Sequence, residues 1–333
     1  MKFGPVALAA AEGAILAHSV RVGDRRLRKG TILTAEDLAA LREAGHDEVV
    51  AARPDAGDIL EDAAAARLAN ALVPDPTAAG VRLSVPFTGR VNVLSDGAGI
   101  AVLDVDALQA LNRVNPMITI ATVPQYQQMA AGGMVATIKI ISYAVPEKDI
   151  ERAASHARAA LRVVAPVVRS AGLIVTNIPG GPDNTKGVRA MTDRVTALGL
   201  DMADLREVPH DVTALADGLQ ALGGDVAMIL TGSATSDIDD VAPAAVRAAG
   251  GHVDRFGMPV DPGNLLFLGG LAGRSVIGLP GCARSPALNG ADWVLSRVVC
   301  GLEPSADDIA GMGVGGLLKE IPTRPQPRAG RSR

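Results

Sequence analysis

Aromatic side chains are scarce in this 333-residue chain, which holds one Trp, two Tyr and four Phe. Aliphatic residues and alanine must therefore fill the interior, and the aromatic platforms on which single-stranded nucleic acid stacks are not to be expected. Cysteine is equally rare. Cys282 and Cys300 cannot build a disulfide framework or a four-cysteine zinc site, and a reducing, cytoplasmic setting is the simplest expectation. Neither charge sign is in excess: 32 Lys and Arg stand against 36 Asp and Glu, a net charge of −4. That balance lacks the basic face of a nucleic-acid binder. No window reaches the roughly 18 uninterrupted apolar residues of a membrane span. The apolar N-terminal stretch carries one basic residue and is broken by Glu12, so it does not read as a secretory signal. The expectation is a cytoplasmic chain with neither nucleic-acid nor membrane partners.

Apolar material, by contrast, is plentiful. It makes up 48% of the chain, which excludes disorder as a global description, and the length suits two or three domains. Residues 1–78 mix short strands with alanine-rich helices and read as a small α/β accessory module. Thr34-Ala35-Glu36-Asp37 is a capped helix start, Glu48–Ala51 a strand, and Asp58–Leu72 a second helix ended by Pro74-Asp75-Pro76. Residues 79–150 read as a β-rich module. There, Arg90–Leu94 and Ile100–Leu103 flank Asp96-Gly97-Ala98-Gly99 as a hairpin signal, and Met134–Val145 is a long β-branched stretch. From about 171 to 303 strands alternate with helices. The strands are Leu173–Thr176, Leu205–Val208, Asp225–Leu230 and Ser275–Leu279; the helices are Lys186–Leu198, Asp211–Leu222, one ending at Ala249, and Pro286–Cys300. That alternation predicts a mostly parallel sheet covered on both faces, a three-layer α/β domain. Residues 304–333 read as a short helix and a Pro/Arg-rich disordered tail from Pro322.

In such a sheet, ligands bind beyond the carboxyl ends of the strands. Two loops leave strand ends there with unusual composition. Thr231-Gly232-Ser233-Ala234-Thr235-Ser236-Asp237-Ile238-Asp239-Asp240 offers small hydroxyl side chains and free backbone N–H groups, then carboxylates at a helix start. That mixture suits a phosphate at a helix N-terminus, with the carboxylates holding Mg²⁺ against it. The plain alternative is a βα turn capped by Asp239 or Asp240. The second loop, Leu279–Pro286, has Gly281 for close backbone approach and Arg284 and Ser285 for an anion. Met258–Asn264 reads as a rigid turn before a strand at 265–269. Other signals fail. The Gly180–Gly187 stretch is not a P-loop, the five histidines lack ligand spacing, and Cys282 reads as a small structural residue rather than a nucleophile.

In order along the chain, these segments resemble the molybdopterin-binding domain of MogA, MoeA and gephyrin-type proteins of molybdenum cofactor synthesis, in a divergent bacterial branch. Thr231 and Gly232 match the opening of that family's T-G-G-T-G-x-x-x-R-D-x-T-P-E stretch, Asp240 falls on its Asp and Pro243 on its Pro. Asp261-Pro262-Gly263-Asn264-Leu265 is similar to a P-G-K-P turn, and Leu279-Pro280-Gly281 with Ser285 resembles L-P-G-N-P-x-S. The chain departs from the pattern at Ser233, Ala234, Thr235, Asp239 and Cys282-Ala283, and Thr176–Gly180 stands where acidic residues are usual.

The resemblance implies binding of molybdopterin or its adenylylated form, with Thr231, Gly232, Ser233, Thr235, Pro262, Gly263, Pro280, Gly281, Arg284 and Ser285 at the ligand. It also implies Asp240 and Asp237 as catalytic Mg²⁺ ligands in molybdate insertion, a transferase activity of molybdenumtransferase or adenylyltransferase type. The departures favour the other reading, a carrier without turnover that serves a nucleotidyltransferase or a molybdoenzyme. A homo-oligomer is expected on the same basis. Residues 1–150 lack the substrate motifs of a full MoeA-type protein and read as a scaffold or oligomerisation element.

Overall fold

The computed structural model describes residues 1–181 and 183–318 and divides into two compact units. The first comprises Met1–Gly97 and Ala101–Val163; the second comprises Ala98–Ile100 and the chain from Val164 onward.

The first unit contains two separate cores. One lies among residues 6–51, where Leu16, Leu33, Leu41 and Ala51 are fully buried. A three-stranded antiparallel sheet orders Lys2–Ala7, Glu48–Arg53 and Ile15–Leu16, beside the helix Ala35–Glu43. Thr34 begins that helix as the sequence predicts, through a reciprocal capping box with Asp37. The other core packs Ala65, Leu68 and Leu72 of the helix Glu61–Leu72 with Val91, Val93, Ile118 and Ile138. Those last four belong to a sheet ordered Ile118–Thr122, Met134–Ile140, Arg90–Ser95, Val81–Leu83.

Two expectations for this unit are corrected. Asp58–Leu60 is a strand paired with Ala144–Pro146, so the helix begins at Glu61 and not at Asp58. The expected hairpin is also absent. Arg90–Ser95 and Gly99–Leu103 are both strands but lie in different sheets, the second between Gln128–Met129 and Leu161–Val164. The reason is burial: four of the five residues of Gly99–Leu103 are buried, so this strand is covered on both faces and has no solvent side to offer a free-standing hairpin.

The second unit is built on a six-stranded sheet. Its elements are β1 (Ser170–Asn177), α1 (Thr185–Ala197), β2 (Asp201–Pro209), α2 (Val212–Ala221), β3 (Val226–Leu230), α3 (Val241–Ala248), β4 (His252–Phe256), β5 (Phe267–Leu271), β6 (Arg274–Leu279), α4 (Gly290–Val299) and α5 (Ala306–Gly311). The strand order is β2-β1-β3-β6-β5-β4. The first four run parallel, and β5 and β4 continue antiparallel from β6. The antiparallel extension escapes the sequence pattern because His252–Phe256 is polar and carries no apolar run.

Position in the sheet explains composition. Central β3 (VAMIL) is buried throughout, whereas edge strand β2 alternates exposed and half-buried residues. On one face Ile174, Ala227, Ile229 and Val276 pack against Leu215 and Leu219 of α2 and Ala245 and Val246 of α3. Alternation turns Leu173, Val175, Met228 and Leu230 to the opposite face, where a Cβ at Gly187 of α1 would meet Leu230 at 2.8 Å. The domain is thus the three-layer α/β arrangement expected. Gly278 stands opposite Phe267 across the β5–β6 ladder, and a Cβ there would lie 1.9 Å from the ring. Burying this ring against a glycine is one solution to a core nearly devoid of aromatics.

The α4 helix begins at Gly290, four residues later than the sequence suggests. Asn289 and Asp292 form its capping box, while residues 281–284 make a separate 3₁₀ turn. Upstream, Gly290 N–H donates to the Pro262 carbonyl at 2.9 Å. Gly263 sits at φ +143°, where a Cβ would meet Gly290 N at 2.7 Å, so the 261–264 turn is fitted to the start of α4. The Pro/Arg-rich tail from Pro322 lies outside the described residues.

Candidate functional site

The chain leaves β1 through α1 to β2 on one side and returns through α2 to β3 on the other. The carboxyl ends of β1 and β3 therefore form a switch point, the place where open α/β sheets bind ligands. Polar side chains meet there. Thr176, fully buried near the end of β1, accepts a hydrogen bond from Gly232 N–H at 2.8 Å, and its hydroxyl lies 2.8 Å from His210 Nδ1 at the end of β2. A Cβ on Gly232 would meet the Thr176 carbonyl at 2.7 Å, so the first loop needs glycine at this position to lie against β1.

A second chain of hydrogen bonds crosses the same strand ends. Asn177 Nδ2 donates to Glu207 at 3.1 Å, and Asn184 Nδ2 donates to Asn177 Oδ1. Arg284 then donates through Nη1 to Asn184 Oδ1 and through Nη2 to the Thr231 carbonyl, both at 2.8 Å. Arg284 thereby ties the loop after β6 to the loops after β1 and β3. Half-burial pushes its pKa down, a tendency opposed by the nearby Asp183 carboxylate, and a guanidinium remains charged regardless. Both acceptors are neutral oxygens, so the charge is not cancelled by a salt bridge.

Arg284 borders an open cleft between α1 and the 281–286 loop, with a volume of about 870 Å³. Lys186, Arg189, Asp183 and Asp193 line the α1 side, and Gly281, Cys282 and Ser285 the loop side. The Asp183 carboxyl is held below its ordinary value chiefly by the Thr185 backbone N–H. Burial pushes the Cys282 thiol up, which leaves it protonated and unsuited to nucleophilic work. Arg194 sets the loop's shape: it pairs with Asp292 at 2.6 Å and donates to the carbonyls of Ala283, Ser285 and Ala287 at 2.8–3.0 Å.

Of the residues singled out from sequence, Gly281, Arg284 and Ser285 line this cleft, and Pro280 opens the turn that carries them. Thr231 reaches it through the carbonyl held by Arg284; its hydroxyl is buried and donates to the Ser233 carbonyl at 2.6 Å, 3.3 Å from the Thr235 hydroxyl. Gly232 is bonded to Thr176, and Ser233 is exposed. Pro262 and Gly263 are engaged with the start of α4. Asp240 is the N-cap of α3, its two oxygens accepting from Val241 N–H at 2.7 Å and Ser236 N–H at 2.9 Å. Asp237 Oδ1 accepts from Asp239 N–H at 2.9 Å. Among the described residues no group of three His, Cys, Asp or Glu side chains is arranged to hold a metal ion. Of the carboxylate pair expected to bind Mg²⁺, Asp240 has both oxygens on backbone N–H groups and Asp237 has one of its two.

The cleft and the strand ends beside it also use residues that were not expected at the site: Thr176, Asn184, Lys186, Gly187, Arg189, Arg194 and His210. Asn184, Lys186 and Gly187 sit in or beside the glycine-rich stretch rejected as a P-loop, and that stretch does enter a helix at the switch point. Arg194 gives no local signal, since its partners lie about 90 residues away.

Residues 5–53 match a family described as a domain of unknown function (DUF8806). No curated protein matches the chain. Among solved structures, the molybdopterin biosynthesis MoeA protein from Pyrococcus horikosii aligns over 91% of this chain and 76% of its own, at 14% identity and a TM-score of 0.31. That score is too low for the two folds to be called the same. Among the described residues no helix is long and apolar enough to cross a membrane.

Proposed function

We propose that this chain serves molybdenum cofactor biosynthesis by binding molybdopterin, or its adenylylated form, at the cleft beside the β1/β3 switch point. The observation that carries the reading is Arg284, a half-buried cation whose two hydrogen-bond acceptors are neutral oxygens, held where three loops leave the parallel strands. A phosphate bound there would receive the guanidinium's remaining N–H donors, with the Ser285 hydroxyl beside it. The motif resemblance supplies the pterin; the basic cleft supports only the anionic part.

Binding without turnover is favoured over molybdate insertion by the state of Asp240. Both of its carboxylate oxygens accept backbone N–H groups, and one oxygen of Asp237 does the same, so no step is routed through Mg²⁺. In this reading the protein holds the cofactor for a nucleotidyltransferase or a molybdoenzyme. The test incubates the purified chain with adenylylated molybdopterin, molybdate and Mg²⁺, reading retained pterin by fluorescence after oxidation and AMP by chromatography. Pterin retained by the wild type and lost in Arg284→Ala, with no AMP released, is the expected result. Mg²⁺-dependent AMP release abolished by Asp240→Ala would contradict the carrier reading, and absence of bound pterin would contradict both.

A further inference from the structure

We propose that His210 is a proton-controlled latch on the loop that holds Arg284, a positioning residue whose charge state sets the ligand site. The latch itself needs no ligand; its bearing on binding rests on the reading of this cleft as the ligand site. A single peptide plane carries the coupling. The N–H of Gly232 and the C=O of Thr231 belong to the same peptide group. The N–H donates to the Thr176 hydroxyl and the C=O accepts from Arg284, both at 2.8 Å. That plane is clamped between the end of β1 on one side and the guanidinium on the other. Thr176 in turn fixes the tautomer of His210. A threonine hydroxyl has one proton and two acceptor lone pairs. Thr176 is fully buried, and one lone pair takes the Gly232 N–H. Among the described residues, the acceptor within reach of its proton is His210 Nδ1 at 2.8 Å. A buried hydroxyl proton is rarely left unbonded, so Nδ1 is bare and the imidazole proton sits on Nε2.

Protonation of His210 puts a second donor against Thr176. The hydroxyl can accept both N–H groups, but its own proton then has no partner in a buried place, which costs the desolvation of that donor. The imidazolium, half-buried at the end of β2, relieves this by turning toward water. Thr176 then loses the partner that orients its lone pair toward Gly232. The hydroxyl turns, and the peptide plane that supplies Arg284 with an acceptor is freed. Among the described residues His210 makes no ion pair that would hold the charged ring in place. The carboxylates on the elements around it have partners of their own. Glu207 of β2 accepts from Asn177, Asp183 beyond β1 from Thr185, and Asp211 from Ala214 as the cap of α2. In the 231–240 loop Asp237, Asp239 and Asp240 each accept at least one N–H. β1 brings the neutral Thr176 and Asn177, the latter accepting His210 N–H on its carbonyl at 3.0 Å. The cation of this chain of bonds is Arg284, on the far side of the shared peptide.

Histidine changes charge between about pH 8 and 5, so the full chain without ligand is compared across that span. Heteronuclear NMR of histidine-labelled protein, with His210 assigned from His210→Asn, should show the proton on Nε2 at the upper end. Amide exchange at Gly232, corrected for the intrinsic pH dependence of exchange, should quicken about tenfold at the lower end, one lost hydrogen bond being of that order. Asn places a carboxamide oxygen near the Nδ1 position and cannot be protonated. In His210→Asn the corrected Gly232 rate should therefore stay constant. Thr176→Val removes the acceptor and should leave Gly232 fast at every pH, whereas Thr176→Ser restores the response. A proton on Nδ1, a flat Gly232 rate in the wild type, or a response that survives in His210→Asn would overturn the proposal. Pterin retention followed over the same span should weaken on acidification in the wild type and not in His210→Asn. A hold that tightens, as an added positive charge alone would produce, would overturn the latch as a control of the site. No pterin at any pH contradicts the pterin reading, while the exchange and NMR data still decide the latch.

Discussion

Arg284 reaches the switch point only because residue 187 has no side chain. A Cβ at Gly187 would lie 2.8 Å from Leu230 Cδ2 and 3.1 Å from both Cγ and Nη1 of Arg284. Gly187→Ala should therefore push Arg284 off its two acceptors, costing about 1–3 kcal/mol of stability as overpacking usually does. The urea midpoint would fall, and pterin retention with it. Arg194 has a different task. Its side chain and that of Asp292 are about a tenth exposed, and it holds three loop carbonyls besides. Arg194→Met leaves a nearly buried carboxylate unpaired, a loss of roughly 3–5 kcal/mol, and hydrogen exchange should quicken at residues 283–288.

Cys300 supplies a pH signature. Burial pushes its thiol up to about 11 from an ordinary value of 9.0. The unfolded chain loses this proton first, so the native state binds more protons between those values. Stability from this group is complete below pH 9.0 and declines as pH rises toward 11. Unfolding followed from pH 8 to 10.5 should show that decline, and Cys300→Ala, which also loses some packing, should flatten it.

Caps and turns explain where elements begin. Asp240 at the start of α3 takes up two N–H groups, and Asp240→Ala should cost about 1 kcal/mol, with Asp240→Asn costing less because its one amide oxygen keeps one of the two N–H groups. Equal losses in the two variants would argue that the charge itself, rather than the cap, is what the loop requires. Helices with local signals were legible in the sequence: Thr34 with Asp37 and Asp211 before α2 are caps written in adjacent residues, and both helices begin where those residues stand. What failed was nonlocal. The 96–99 turn looks like a hairpin, yet Gly99–Leu103 is claimed by another sheet; α4 starts late because the 281–288 stretch is shaped by Arg194 from across the domain. The antiparallel strand β4 was invisible because its residues are half exposed and polar.

For the whole chain, the parallel part of the second unit followed from strand–helix alternation, and three residues of the loop expected to bind an anion do line the cleft. The basic face of α1 did not, because Lys186 and Arg189 look like any solvated helix surface until the sheet order brings α1 beside the loop after β6. The first unit, with its two cores, has no assigned chemistry; its N-terminal 5–53 segment shares only a domain of unknown function. The proposed function turns on one cleft and one cation. Its most direct test is pterin retention by the purified chain and by Arg284→Ala. The account predicts stoichiometric pterin on the wild type and at least a tenfold weaker hold in the variant, about 1.4 kcal/mol by the usual conversion. Pterin bound equally by both proteins, or by neither, would contradict it.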